Sequence, residues 1–226
     1  MSMGDIELNR LIDHTILRPE ATSEEVKRVC DEAKRYCFYS VCINTHFIPL
    51  VAREVEGSIV KVCSIAGFPL GAVDLKVKAF EARRAVEAGA DEIDMVMNIG
   101  AFKSGDEDLV TDDIANVVEA CGEETIVKVI IEAALLSDEE KRSACMLAKN
   151  GGAHFVKTST GFGPPGASVH DVQVMRKAVG SRFGVKASAG IRTASFALDL
   201  VHAGANRIGT SAGIHIIKEW RSAKKS

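Results

Sequence analysis

In Gly184-Val185-Lys186-Ala187-Ser188-Ala189-Gly190-Ile191-Arg192-Thr193, a short apolar run carries a lysine and opens into a glycine loop, with a helical pattern over 194–203. The same shape stands one unit earlier. His154-Phe155-Val156-Lys157-Thr158-Ser159-Thr160-Gly161-Phe162-Gly163 precedes a helical pattern over 168–180. Working outward, strand candidates fall at 11–15, 40–44, 60–65, 92–97, 126–131, 155–158, 184–187 and 207–209. Between and after them lie helical patterns at 23–36, 46–56, 73–89, 107–121, 138–150, 168–180, 194–203 and 212–220. Ser23-Glu24-Glu25-Val26 opens the first like a capping box, and Gly89, Gly122, Gly151 and Gly204 close others. Eight strands alternating with helices, with no linker or composition break, predict a single (β/α)8 TIM barrel over residues 1–226. Residues 3–10 read as an extra N-terminal helix before the first strand. A doubly wound open sheet is the alternative fold, but no G-x-G-x-x-G turn follows the first strand.

Composition agrees with this reading. Of 226 residues, 46% are apolar but only 5% aromatic, which suits the Ala/Val/Ile core of repeating βα units. A net charge of −3 argues against a nucleic-acid partner. Cys30, Cys37, Cys42, Cys63, Cys121 and Cys145 lie in apolar segments without a C-x-x-C pair. They read as buried free thiols of a reducing compartment rather than a disulfide framework or zinc site. The first residues lack a basic segment followed by an apolar one, so no signal peptide is expected. No apolar run is long enough to span a bilayer, and a soluble, cytoplasmic protein without a membrane partner is the expectation.

Strand parity then sorts the side chains, because successive residues of a strand face opposite sides. In Glu92-Ile93-Asp94-Met95-Val96-Met97, the apolar set Ile93, Met95 and Met97 belongs against the helices, which turns Glu92 and Asp94 inward. The same rule points Asp13, Cys42, Lys128, Ile130, Glu132, Lys157 and Lys186 inward, and gives His14 the opposite parity. A barrel interior is normally packed with branched apolar residues. Charged groups gathering toward strand C-terminal ends, where barrel active sites form, therefore indicate chemistry.

Lys157 alone reads more readily as a lysine snorkelling to solvent. Lys186 at the matching place on the next strand, about 5 Å away by ladder spacing, weakens that reading. Each ammonium is expected to push the other toward the neutral amine, the nucleophile of Schiff-base chemistry. Which lysine attacks is not decided by position. Asp94 is either their neutralising partner or a general acid/base, or both. Asp13, Lys128 and Glu132 read as a supporting charge network with Thr158 beside it, and Cys42 as core filling at a strand end.

Ala189-Gly190-Ile191-Arg192-Thr193 and Gly209-Thr210-Ser211-Ala212-Gly213 follow the last two strands, where barrels commonly bind phosphate through backbone N–H groups and a helix N-terminus. The loop from Gly161 to Gly166, with Pro164 and Pro165, flanks the same place. His14, His46, His154, His170, His202 and His215 show no metal-binding spacing, so no metal is expected.

The runs Leu11-Ile12-Asp13-His14-Thr15, Val41-Cys42-Ile43-Asn44, Gly67-Phe68-Pro69-Leu70-Gly71, Glu92 to Asn98, Lys128-Val129-Ile130-Ile131-Glu132, Lys157-Thr158-Ser159-Thr160-Gly161 and Lys186 to Arg192 resemble, in order, those of deoxyribose-phosphate aldolase. The resemblance implies a metal-free class I aldolase on a (β/α)8 barrel, with no cofactor, that cleaves a small sugar phosphate and assembles as a homodimer or homotetramer. It assigns Lys157 as the Schiff-base lysine, Lys186 as its pKa-lowering neighbour and Asp94 as proton donor and acceptor. It also implies that Gly161, Gly190, Arg192, Gly209 and Ser211 line the phosphate site. Two departures stand out. Ala189 occupies a place where many members have glycine, and the sequence closes on Trp220 to Ser226 without the terminal tyrosine that assists proton transfer in some members. Another phosphosugar barrel enzyme, an isomerase or a different aldolase, and a non-catalytic sugar-phosphate sensor are the competing readings.

Overall fold

Eight parallel strands pair in chain order and close on themselves. They are β1 (Ile12–Ile16), β2 (Ser40–Ile43), β3 (Lys61–Ala66), β4 (Glu92–Val96), β5 (Ile126–Ile130), β6 (Phe155–Lys157), β7 (Gly184–Ser188) and β8 (Arg207–Thr210). The computed structural model describes residues 7–163 and 165–224. Closure is made by β1 against β8, with Asp13 opposite Gly209. Around the barrel run α1 (Ser23–Tyr36), α2 (Ile48–Val55), α3 (Leu75–Glu87), α4 (Ile99–Lys103), α5 (Glu107–Cys121), α6 (Asp138–Asn150), α7 (Val169–Val179), α8 (Ala194–His202) and α9 (Gly213–Ala223). None of the helices among the described residues is long and apolar enough to cross a membrane.

The pleat explains the sorting. Ile93, Met95, Val127, Val129, Val156 and Val185 join one apolar core with the helices. Their strand neighbours Asp94, Lys128, Lys157 and Lys186 are buried on the opposite, inner face. Register keeps these groups together: Asp94 pairs with Lys128, and Lys157 with Lys186. A slip of one residue would turn the whole charged set into the apolar layer.

Local chemistry fixes the helix starts. The capping box of α1 begins at Thr22, not Ser23: the Thr22 side chain accepts from the Glu25 N–H at 3.3 Å, and the Glu25 carboxylate accepts from the Thr22 N–H at 3.0 Å. Three-residue spacing to the glutamate is the requirement, and Thr22 meets it. A second box, Ser137 with Glu140, opens α6. Gly151 does follow α6, but with φ −72°; the left-handed turn is made by Gly152, at φ 82°. Of the expected helix over residues 3–10, the part before residue 7 lies outside the described residues. The described part is a single 3-10 turn, Leu8–Leu11, so Leu11 precedes β1 rather than opening it.

Two features escape sequence periodicity. The short α4 starts where the Asn98 carboxamide oxygen accepts from the Ala101 N–H at 3.1 Å. Between α3 and α5 lies a fully buried ion pair, with Lys78 Nζ 2.5 Å from Asp113 Oδ2. Lys78 also donates to the Gly71 carbonyl at 3.0 Å and the Val96 carbonyl at 2.9 Å. One ammonium thus ties two helices, the end of β4 and the loop after β3.

Candidate active site

Parity places seven charged side chains inside the barrel, and they form one connected network. Asp94 on β4 is its centre. Its Oδ1 accepts from Lys128 Nζ at 2.8 Å, and its Oδ2 accepts from both Lys157 Nζ and Lys186 Nζ, each at 2.7 Å. Lys186 reaches Asp13 Oδ2 at 2.6 Å, and Lys128 reaches Glu92 Oε2 at 2.7 Å. Arg207, at the start of β8, closes the far side by donating to Asp13 and, at 3.1 and 2.7 Å, to Glu92. Ser40 Oγ donates to Asp13 at 2.6 Å, and the Tyr39 ring lies 3.4 Å from the guanidinium carbon.

This arrangement sets the protonation states. Burial by itself raises the Asp94 carboxyl, but Lys128, Lys157 and Lys186 outweigh it and hold the group well below the usual carboxylate range. Burial likewise lowers Lys186, yet Asp13 and Asp94 drive it well above an ordinary lysine. The expectation that the paired lysines push each other toward neutrality is therefore corrected for Lys186. A carboxylate stands between the two, so Lys186 is held as an ammonium. Lys128 is raised in the same way by Asp94.

Counting charges exposes an asymmetry. Four cations, Lys128, Lys157, Lys186 and Arg207, face three carboxylates, Asp13, Glu92 and Asp94.

Above the network the barrel opens into a hollow of about 430 Å³. Lys157, Gly161, Gly190, Arg192, Gly209 and Ser211 all line it. Two successive residues there hold positive φ, Ala189 at 72° and Gly190 at 76°. No carboxylate lines this hollow among the described residues, whereas Arg18, Lys157 and Arg192 do. It favours an anion.

A family model for DeoC/LacD family aldolases matches residues 9–219. The chain belongs to the DeoC/LacD family of aldolases. It is 55% identical over 213 residues to a Streptococcus gordonii protein named deoxyribose-phosphate aldolase, covering 94% of this chain and 96% of that one. A Thermoanaerobacter protein of the same name is 52% identical over 223 residues, covering 98% of this chain and 100% of its own. Among solved structures, an aldolase named QR15 superposes with a TM-score of 0.92 at 36% identity, over 97% of this chain and 98% of that one. A tetrameric deoxyribose phosphate aldolase from Aeropyrum pernix gives a TM-score of 0.89 at 35% identity, over 96% and 92%.

Other expected residues of this DeoC/LacD aldolase fall beside the network rather than in it. Glu132 lies just past β5 in a left-handed conformation, φ 48°, and accepts from Thr160 Oγ1 at 2.5 Å instead of meeting a lysine. Parity lapses once the strand ends, which is why it does not reach the charges. Thr158 pins β6 to β7, donating to the Ser188 carbonyl and accepting from the Ser188 N–H. Cys42 is buried with Leu17, Cys63 and Ile65. A hydrogen bond with Cys63 lowers its thiol pKa against the effect of burial. Cys37 is the exposed exception among the cysteines, at the left-handed end of α1.

Sequence reading missed Arg207, Cys63 and Arg18. Arg207 carried the same signal as the lysines, a charge at the inward parity of a strand. Cys63 donates to Asp94 Oδ1 at 3.3 Å, but a thiol in an apolar run gives no such signal. Among the described residues, Cys42, Cys63 and Asp94 bring one potential metal-ligand atom each within 4.8 Å of one another. The same carboxylate already holds three ammonium groups, which repel a further cation.

Proposed function

We propose that this aldolase reversibly cleaves 2-deoxy-D-ribose 5-phosphate to D-glyceraldehyde 3-phosphate and acetaldehyde through a Schiff base on Lys157. The observation that carries the reading is Asp94 Oδ2 held between Lys157 and Lys186 at 2.7 Å each, with Lys157 the network lysine that lines the anion-favouring hollow. Deprotonated Lys157 adds to the substrate aldehyde carbon, and the carbinolamine loses water to give an iminium. A base takes the proton of the C3 hydroxyl. The C2–C3 bond then breaks, its electron pair flowing into the iminium to form an enamine as glyceraldehyde 3-phosphate leaves. Protonation of the enamine carbon and addition of water release acetaldehyde and restore the lysine. Asp94 and Lys186 are the groups placed to carry these protons. Lys186, kept as an ammonium by Asp13 and Asp94, is the second cation on the carboxylate oxygen that Lys157 meets.

Gly161, Gly190, Arg192, Gly209 and Ser211 bind the phosphate at the rim of the same hollow. Asp13, Lys128, Cys42, Thr158 and Glu132 support the site without touching the reacting carbon. The 226-residue chain acts as one catalytic domain in the cytoplasm. It self-associates as a homodimer or homotetramer, a reading supported by the tetrameric Aeropyrum pernix relative. Release of glyceraldehyde 3-phosphate from the sugar phosphate, followed with a coupled dehydrogenase, tests the proposal. Wild type turns over, and Lys157→Ala loses about four orders of magnitude or more in kcat. Undiminished turnover by that variant would refute it.

A further inference from the structure

A second hollow, of about 700 Å³, adjoins the one over Lys157. Its walls include Leu17, Phe47, Ile65, Phe68, Pro69 and Phe162. Leu17 and Phe162 also line the first hollow, so these two side chains form the divide. The two spaces differ in chemistry. Three cations line the first, whereas His46 is the one titratable side chain lining the second among the described residues. Its floor continues into the buried cluster of Leu17, Cys42, Cys63 and Ile65, of which Cys63 touches Asp94.

Phe162 is placed with care for a residue 53% exposed to solvent. Its backbone N–H donates to Thr160 Oγ1 at 3.1 Å, and that hydroxyl donates to Glu132 at 2.5 Å. Glu132 is buried and holds a backbone conformation that side-chain-bearing residues rarely adopt. Beyond the loop, the Phe162 ring meets the Phe68 ring edge to face, with centroids 5.2 Å apart. A large apolar side chain is thus fixed at the boundary by a buried polar relay on one side and an aromatic contact on the other.

We propose that Phe162 is a specificity-determining partition that keeps the alkyl tail of an unphosphorylated aliphatic aldehyde out of the hollow behind it. The inference rests on the Schiff-base reading of Lys157. In the addition direction, the enamine carbon formed from acetaldehyde attacks the carbonyl carbon of a second aldehyde. The carbonyl oxygen gains a proton, and water releases the 3-hydroxyaldehyde from the lysine. A phosphorylated acceptor lays its anion on the cationic hollow. An alkyl tail leaves the charges of Arg18 and Arg192 there unpaired, and Phe162 with Phe68 bars its path into the second hollow. Glu132 is the positioning residue of this partition.

Addition of acetaldehyde to pentanal, hexanal and heptanal, each compared with glyceraldehyde 3-phosphate, tests the proposal. Phe162→Ala is expected to raise the ratio of kcat/KM for hexanal over the phosphorylated acceptor about tenfold or more, with Phe162→Leu intermediate. In Phe162→Ala each added methylene gains up to about fourfold as the tail enters the apolar hollow, against little change in wild type. Glu132→Gln shifts the ratio in the same direction, which a purely structural role would not. Borohydride trapping of acetaldehyde by wild type separates the two levels. A Lys157 adduct with an unmoved ratio in all three variants overturns the partition, whereas no adduct overturns the Schiff-base reading beneath it.

Discussion

Asp94 does at atomic scale what no pair of lysines does alone. With Oδ1 taken by Lys128 and Cys63, Oδ2 is left to face both Lys157 and Lys186. Its depressed pKa and the raised pKa of Lys186 fix the pH range of the network. A depressed carboxyl contributes stability that is complete above its unfolded value, about 3.9, and is lost as pH falls through the folded value. A raised lysine contributes below its unfolded value, about 10.4, and loses that contribution as pH rises through the folded value. Thermal denaturation is therefore expected to show a Tm plateau from about pH 5 to 9, with losses only beyond it on either side. A Tm that drops steeply between pH 8 and 6 would show that another group governs stability. The inner lysines and Asp94 were legible because a strand's period of two is rigid. Glu132 shows where that legibility ends, since two residues beyond β5 the chain turns left-handed and parity no longer applies.

At the scale of elements, the loops that shape the site are anchored by side chains on helices behind them. Lys78 on α3 holds the Gly71 carbonyl in the loop after β3 and the Val96 carbonyl at the end of β4, while Asp113 on α5 neutralises it. Burial lowers the Lys78 pKa and raises that of Asp113. Lys78→Ala leaves a buried carboxylate and two carbonyls unpaired, and is expected to cost about 3–5 kcal/mol in chemical denaturation. Lys78→Ala combined with Asp113→Ala should cost less than the two single changes added together. A loss below about 1 kcal/mol in the single variant would mean that water replaces the ammonium freely. Periodicity announced both helices here but not the pair joining them, because a lysine and an aspartate in amphipathic patterns read as solvent-facing. The cap of α1 was nearly legible, off by the one residue that separates Ser23 from Thr22.

For the molecule as a whole, the βα alternation determines the barrel, and the barrel determines which residues from distant parts of the chain meet. Asp13 and Arg207 stand 194 positions apart and share an ion pair because β8 closes on β1. The two glycine loops were legible as the rim of the hollow over Lys157 from their position after the last two strands. The neighbouring apolar hollow was not, since its walls come from loops after β1, β2, β3 and β6 that no single run of sequence joins. Charge balance is likewise a property of the whole interior. It makes Lys157 the one network cation that meets a single carboxylate, where each of the others meets two, and so the lysine expected to form the Schiff base. Incubation with acetaldehyde and borohydride, followed by peptide mass mapping, tests it most directly. A single N-ethyl adduct on Lys157 is expected, absent in Lys157→Ala and formed without any added metal. An adduct on Lys186 or Lys128 in place of Lys157, or none at all, would contradict it.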